Sequence, residues 1–315
     1  MWEGTRDAWR AGATTALRLA RAELRLLRRP VERFDALIVG YPGHFDLPAA
    51  RRAARGAPVV FNPLVSLADT LVTDRARFRP DSLSARALAL ADRRALRAAD
   101  VVVADTEQHA RFLTELAGLE RVEVCFVGAE ERVFQPAPLG AFTHALFVGK
   151  LIPLHGLETI LEAARLAPDL PFRVVGSGQL DAKLGRRPGN VEWVPWVEYE
   201  RLADELHRAG AALGIFGSSA KARRVIPNKA FQALACGTPL VTADTPAARE
   251  LLLDGESALL VPPGDAPALA DALQRLASDD ALRARIAAGG LSAYRRHASE
   301  EVLGRRWLSI LERAR

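Results

Sequence analysis

Residues 145–180, "ALFVGKLIPLHGLETILEAARLAPDLPFRVVGSGQL", hold one full cycle of the plan on which this chain is built. A short apolar run ends at Gly149, apolar residues at helical spacing begin at Leu157, and a second apolar run ends in Gly176-Ser177-Gly178. Short apolar runs bounded by glycine read as buried strands, and the periodic segment between them reads as a helix. A helix joining two buried strands makes the strands parallel, with both faces of their sheet covered.

Toward the carboxyl end the cycle repeats through "NVEWVPW", "AALGIFG", "TPLVTAD" and "ALLVPPG", with helices expected from Gln179, Tyr199 and Ala247 and more to close the chain. Toward the amino end, "DALIVGY", "APVVFNP", "ADVVVADT" and "RVEVCFVG" read as strands, with helices over 47–57, 84–98 and 107–117. The stretch "QPAPLG" at 135–140, with two prolines and a glycine, reads as a linker. Two such series predict an α/β protein of two doubly wound, Rossmann-like domains facing a cleft. The expected boundaries are 1–136, 137–290 and a closing carboxyl-terminal helix over 291–315.

A chain of 315 residues suits two domains. With 49% hydrophobic and 26% charged residues, it has the composition of a globular protein. Two separated cysteines, Cys125 and Cys236, offer neither a disulfide framework nor a zinc cluster, so a reducing cytoplasm is expected. No apolar run approaches the ~20 residues of a membrane span, and the arginine-rich opening lacks the apolar core of a secretory signal. The formal charge of +5 suits nucleic acid, anionic lipid or a phosphorylated substrate alike. Without aromatics clustered beside the basic residues, no nucleic-acid partner is expected.

The segment "RRVIPNKAFQALACGTPLVTAD" (223–244) carries the sharpest chemical signal. Pro227 is expected in the first turn of a helix, Gly237 stops it, and Phe231, Leu234 and Ala235 give it a core face. Asn228 and Lys229 then sit at the amino end, where free N–H groups and the helix dipole favour an anion. Gly149, Gly176, Gly178 and Gly217 lie at strand ends, where small residues let backbone approach a nucleotide-sized ligand. Lys150 follows a strand and His155 precedes a helix. They read either as two donors for a diphosphate or as a solvated lysine and a histidine packed under the helix.

With these residues in view, 145–180 resembles the carboxyl-terminal domain of the retaining glycosyltransferase family 4, the group 1 glycosyltransferases of GT-B fold. A branch with a Pro-Leu-His-Gly loop is the more similar. The resemblance implies that Lys150 and His155 occupy the positions of two cations that hold a donor diphosphate. It also implies that Trp196 and Val197 border the nucleobase and that Glu250 lies near the donor. Two glutamates of the family are matched by Arg224 and Gln232. Gln232 retains hydrogen bonds for a ribose, whereas Arg224 cannot accept one from a sugar hydroxyl. No D-x-D motif stands at a strand end, so neither a metal nor a cofactor is expected beyond the nucleotide-diphosphate sugar itself.

The acceptor side falls to the first domain. His44 is the candidate base, or else a histidine satisfied by a neighbouring turn. Asn62, Ser66, Asp69, Asp74 and Arg75 are candidate acceptor contacts on an expected long loop. Trp9, Ala13, Leu17, Ala20, Leu24 and Leu27 make a helical stripe flanked by arginines. It reads either as a crossover helix on the sheet or as a peripheral contact with anionic membrane. Family members open on a strand and a Gly-rich turn, so the first domain is expected to lack its first strands.

The function implied is sugar transfer from a nucleotide-diphosphate donor to a glycan or lipid-linked hydroxyl, with Lys150 and Lys229 neutralising the diphosphate. A GT-B homologue that binds nucleotide or a partner without turnover is the alternative. A nicotinamide oxidoreductase fails on its fingerprint, since "VGSGQL" has only the first two glycines of G-x-G-x-x-G.

Overall fold

The computed structural model describes residues 34–314; the stripe from Trp9 to Leu27 lies outside them. The first domain runs β1 (Leu37–Val39), α1 (Leu47–Ala54), β2 (Val59–Phe61), α2 (Leu83–Ala98), β3 (Val101–Ala104), α3 (Glu107–Ala117) and β4 (Glu123–Val124). Its four described strands are all parallel, in the order β1-β2-β3-β4. Among the described residues that is a smaller sheet than the second domain's. The segment 121–128 contributes only two residues of strand. The expected loop after β2 contains a π-helical turn, Asp69–Asp74. It forms because Asp92, fully buried inside α2, gathers the preceding chain: it accepts from the Ser66 hydroxyl (2.7 Å) and from the backbone N–H of Leu67 and Ala68.

The second domain is β5 (Ala145–Val148), α4 (Leu157–Leu166), β6 (Phe172–Val175), α5 (Asp181–Leu184), β7 (Val191–Val194), α6 (Leu202–Arg208), β8 (Ala211–Leu213), α7 (Asn228–Cys236), β9 (Leu240–Ala243) and β10 (Leu259–Val261). Three helices close the chain: α8 (Ala266–Ser278), α9 (Asp280–His297) and α10 (Glu300–Ala314). The six strands are parallel in the order β10-β9-β8-β5-β6-β7. The direction of winding reverses between β5 and β8, which opens a crevice at the carboxyl ends of those two strands. The expected helices at Gln179 and Ala247 are single turns, Asp181–Leu184 and a 3-10 turn Ala248–Glu250. Asp279 caps α9 by accepting from the Leu282 N–H.

One face of this sheet packs on α4 and α8 through Leu157, Ile160, Leu269 and Leu273; the other packs on α6 and α7 through Leu206, Phe231 and Leu234. In the first domain Leu96 and Leu113 cover one face. The other face is covered by α10, whose Ile310 and Trp307 sit on Val60, Val103 and Cys125. The chain thus returns to its first domain at its end. Arg306 bonds the Val124 carbonyl and Glu123, and Arg313 also reaches Glu123. At the crossing, Glu131 and Glu300 each accept from the other's backbone N–H, and the Tyr294 hydroxyl donates to the Ala129 carbonyl and to Glu131.

Candidate functional site

Pro227 is the residue before α7 rather than part of its first turn: its ψ of 150° is extended, and its carbonyl accepts from the Ala230 N–H. The chain arrives extended from Val225, so helical dihedrals begin only at Asn228. This places Lys229 in the first turn, aimed across the crevice at the end of β5.

The Lys229 amine lies 3.6 Å from the centroid of the Phe147 ring. The residue as a whole is half-buried, but its Nζ is buried and has no hydrogen-bond partner among the described residues. Burial alone pushes its pKa well below the usual lysine value. Gly149 makes the room: with φ +147°, it would place a Cβ 3.0 Å from that amine. Gly176 is needed for the same loop, since a Cβ there would stand 2.0 Å from the Gly149 carbonyl oxygen. Gly178 pairs with Leu151, so it serves loop-to-loop packing.

His155 is buried in this group, with its ring 5.6 Å from that of Phe147. Its Nδ1 is 2.5 Å from the Lys150 carbonyl, which only a protonated Nδ1 can satisfy. Burial is the largest cause of a pKa depressed to about 2, and any positive charge on Lys229 acts in the same direction. His155 is therefore a neutral imidazole and not the second cation that its position suggested, and its Nε2 carries the lone pair of that tautomer. Lys150 itself is exposed at the head of the loop.

On its other side the start of α7 faces the hinge. Asn228 and Gln232 line a cavity of about 470 Å³ together with Phe126, Gly128, Tyr199 and Trp307. The Tyr199 hydroxyl lies within hydrogen-bonding reach of Gln232 and Glu130. Trp196 is 74% exposed beyond β7, and Val197 packs partly buried on the core beneath α7.

Two positions aligned with donor contacts are instead engaged across the cleft. Arg224 donates to Asp69 (2.8 Å), lies 3.8 Å over the Phe112 ring, and through its carbonyl accepts from the Thr106 hydroxyl. The Glu250 carboxylate accepts from the backbone N–H of Glu107 (2.7 Å) and Gln108 (3.0 Å), filling the amino end of α3. Helix dipole and free N–H groups both favour a carboxylate there. Sequence reasoning missed Lys221, which sits in a basic run. Its buried amine donates to Thr70 and stands 3.6 Å from Asp74 of the first domain.

Of the expected acceptor-side residues, Ser66 and His44 belong to the buried Asp92 knot, with His44 Nε2 3.3 Å from Asp92. Burial lowers the pKa of His44, and its ring packs edge-on against Phe61. Enclosed this way it is not an open base, although its Nδ1 is buried without a hydrogen-bond partner among the described residues. Asp69 is taken up by Arg224. Asn62 Oδ1, both carboxylate oxygens of Asp74 and Arg75 Nε are buried without hydrogen-bond partners among the described residues. Among those residues no group of three or more His, Cys, Asp or Glu is placed to hold a metal ion, and no helix is long and apolar enough to cross a membrane.

Comparisons with known proteins agree with this architecture. Residues 143–279 match the family model described as glycosyl transferases group 1, and residues 2–130 match that of a glycosyl transferase 4-like domain. A D-inositol 3-phosphate glycosyltransferase of Nocardioides is 31% identical over 91% of this chain and 69% of its own length. A phosphatidyl-myo-inositol mannosyltransferase of Mycobacterium leprae is 34% identical over 48% of this chain and 42% of its own length. Among curated relatives the chain thus spans from less than half to about two thirds of the partner's length. The fold is shared with HepE of Anabaena in complex with UDP (TM-score 0.71, 15% identity, 93% of this chain and 81% of that one). It is also shared with sucrose-phosphate synthase of Thermosynechococcus elongatus (TM-score 0.71, 18% identity, 89% and 73%). Matching family models on both halves, a relative aligned across most of both chains, and the two-sheet architecture lead to one conclusion: this chain belongs to the group 1 glycosyltransferases, with the GT-B fold.

Proposed function

We propose that this chain moves a sugar, with retention, from a nucleoside-diphosphate donor to a hydroxyl of a glycan or lipid-linked acceptor. The observation that carries the reading is the unpartnered Lys229 amine at the switch point of the second sheet, beside the Gly149 backbone and the head of α7. A diphosphate placed there meets that amine, Lys150 and the first N–H groups of the helix, the arrangement that stabilises a departing diphosphate. The hinge cavity has the size for a nucleoside, with Gln232 and Asn228 in its lining toward the ribose; Trp196 and Val197, which do not line it, are assigned to the base by the family resemblance alone. Asn62 and Arg75 hold polar atoms without hydrogen-bond partners among the described residues, candidates for an acceptor on the facing domain, whereas Asp74 already faces the Lys221 amine. As the acceptor oxygen bonds to the anomeric carbon, the bond to the diphosphate breaks, and the leaving phosphate oxygen takes the hydroxyl proton. No protein base is then required, which suits the enclosed His44.

A second reading, a homologue that binds nucleotide without turnover, is favoured by Arg224. It stands where the family has a sugar-contacting glutamate, and its guanidinium is paired with Asp69. Thermal shift with UDP, GDP and ADP, followed by hydrolysis and transfer assays on their sugar conjugates, separates the two. A shift with one nucleotide plus slow donor hydrolysis supports the transferase. A shift with no turnover of any conjugate leaves the binding protein, and no shift at all sinks both.

A further inference from the structure

We propose that Lys229 takes up a proton as the diphosphate binds, so that a nucleoside diphosphate and one proton enter this site together. This rests on the reading of the site as a diphosphate cradle. The geometry carries it. The amine is enclosed by the Phe147 ring, the Gly149 backbone and the His155 ring, and no acceptor atom among the described residues reaches it. An ammonium there has three N–H groups and only an aromatic face among the described residues to meet them.

The surrounding charges do not change this. His155, on the loop after β5, carries no charge, and its Nδ1 proton is committed to the Lys150 carbonyl. Lys221, in the segment before α7, acts on His155 from the same side and is itself a cation held by Thr70 and Asp74. Lys150 is exposed at the head of the loop. No carboxylate among the described residues contributes at Lys229, and burial weakens its hold on a proton. The empty site therefore disfavours the ammonium relative to a solvated lysine, by the same enclosure that leaves its N–H groups without acceptors.

An entering diphosphate changes this balance. Its oxygens give the ammonium N–H groups acceptors, and its negative charge favours the protonated form. The proton comes from solvent: the amine lone pair gains H⁺, nothing is oxidised or reduced, and the complex leaves with one proton more than the free partners. By linkage, nucleotide affinity falls as pH rises, by about tenfold per pH unit between the free-site and bound-site pKa values.

Calorimetric titration of UDP, GDP and ADP into the full chain near pH 8, where the nucleotide phosphates are already ionised, tests this in two buffers of different ionisation heat. Wild type is expected to take up protons on binding nucleotide, up to one per site. K229R, which holds its charge throughout, should bind with uptake near zero, and K229Q should bind weakly and also without uptake; circular dichroism confirms that each is folded. Binding by wild type with no buffer dependence, or the same uptake in either variant, overturns the proposal and leaves the site assignment standing. Absence of binding by any of the three nucleotides overturns the site assignment, and this proposal with it.

Discussion

Replacing Arg224 by glutamine, Asp69 by asparagine, and then both together measures how firmly the two domains are held face to face. The guanidinium and the carboxylate are 2.8 Å apart and mostly buried, with 18% and 11% of their side-chain surfaces exposed. At an effective dielectric of about 20 the gross attraction at that separation is about 6 kcal/mol. Desolvation of both groups offsets much of it, and hydrogen bonds to charged groups contribute about 1.5–3 kcal/mol net. The Phe112 face adds about 1 kcal/mol that only Arg224 enjoys. R224Q should therefore cost about 3 kcal/mol, D69N about 2, and the double variant less than their sum by about 2, as mutually dependent partners do. The assay is a double-mutant cycle on urea unfolding, with R224K distinguishing charge from planar stacking. A coupling below about 0.5 kcal/mol is what independent sites give, and would show that Arg224 does not bind the two domains together.

Three further expectations follow from the same contacts. E250Q removes the carboxylate at the amino end of α3 and should weaken that end by about 1 kcal/mol, seen as faster hydrogen exchange at the Glu107 and Gln108 amides. Burial raises the Glu250 pKa above 4.5, so the folded chain holds that proton to higher pH than the unfolded one. Stability contributed by this group then falls as pH rises from 4.5 through the raised value, and E250Q should lose that slope in pH-dependent unfolding. His155, with a pKa near 2, should show no imidazole titration by NMR from pH 8 down to about 4 and the nitrogen shifts of the Nδ1–H tautomer; a midpoint near 6.5 would refute its neutrality. D92A leaves the Ser66 hydroxyl and two backbone N–H groups unpaired in the first domain and should cost about 3–5 kcal/mol in thermal or urea unfolding, whereas a loss under about 1 kcal/mol would mean that the π-helical turn stands without it.

The strand–helix alternation was legible because each element carries its own local signature. The helix at Glu107–Ala117, the helix start at Leu157 and the Asp279 cap all lie where spacing and capping residues place them. The parallel runs implied two sheets with a cleft between them, whereas the strand order that opens the crevice between β5 and β8 appears only in the structure. What spacing could not convey was the use of Arg224 and Glu250. Their partners lie more than a hundred residues away, on a surface that exists only once the second sheet faces the first. Asp92 is a single acid within an ordinary amphipathic helix, and only the fold reveals that it is fully buried. Lys221 sits in a basic run that reads as a solvated face. The charge of His155 depended likewise on burial and on one carbonyl, neither of which is written in the Pro-Leu-His-Gly loop.

The chain passes between its domains twice, once through 125–143 and again where α9 gives way to α10. The two passages are stitched to each other by Glu131, Glu300 and Tyr294. Two adjacent pivots leave a body far fewer ways to move than one. Sliding and twisting of one domain over the other would shear these bonds, whereas swinging about the line through both pivots leaves them intact. Closure about that line would be the movement these bonds oppose least, and Arg224 and Glu250 are the side chains that already span the cleft it would close.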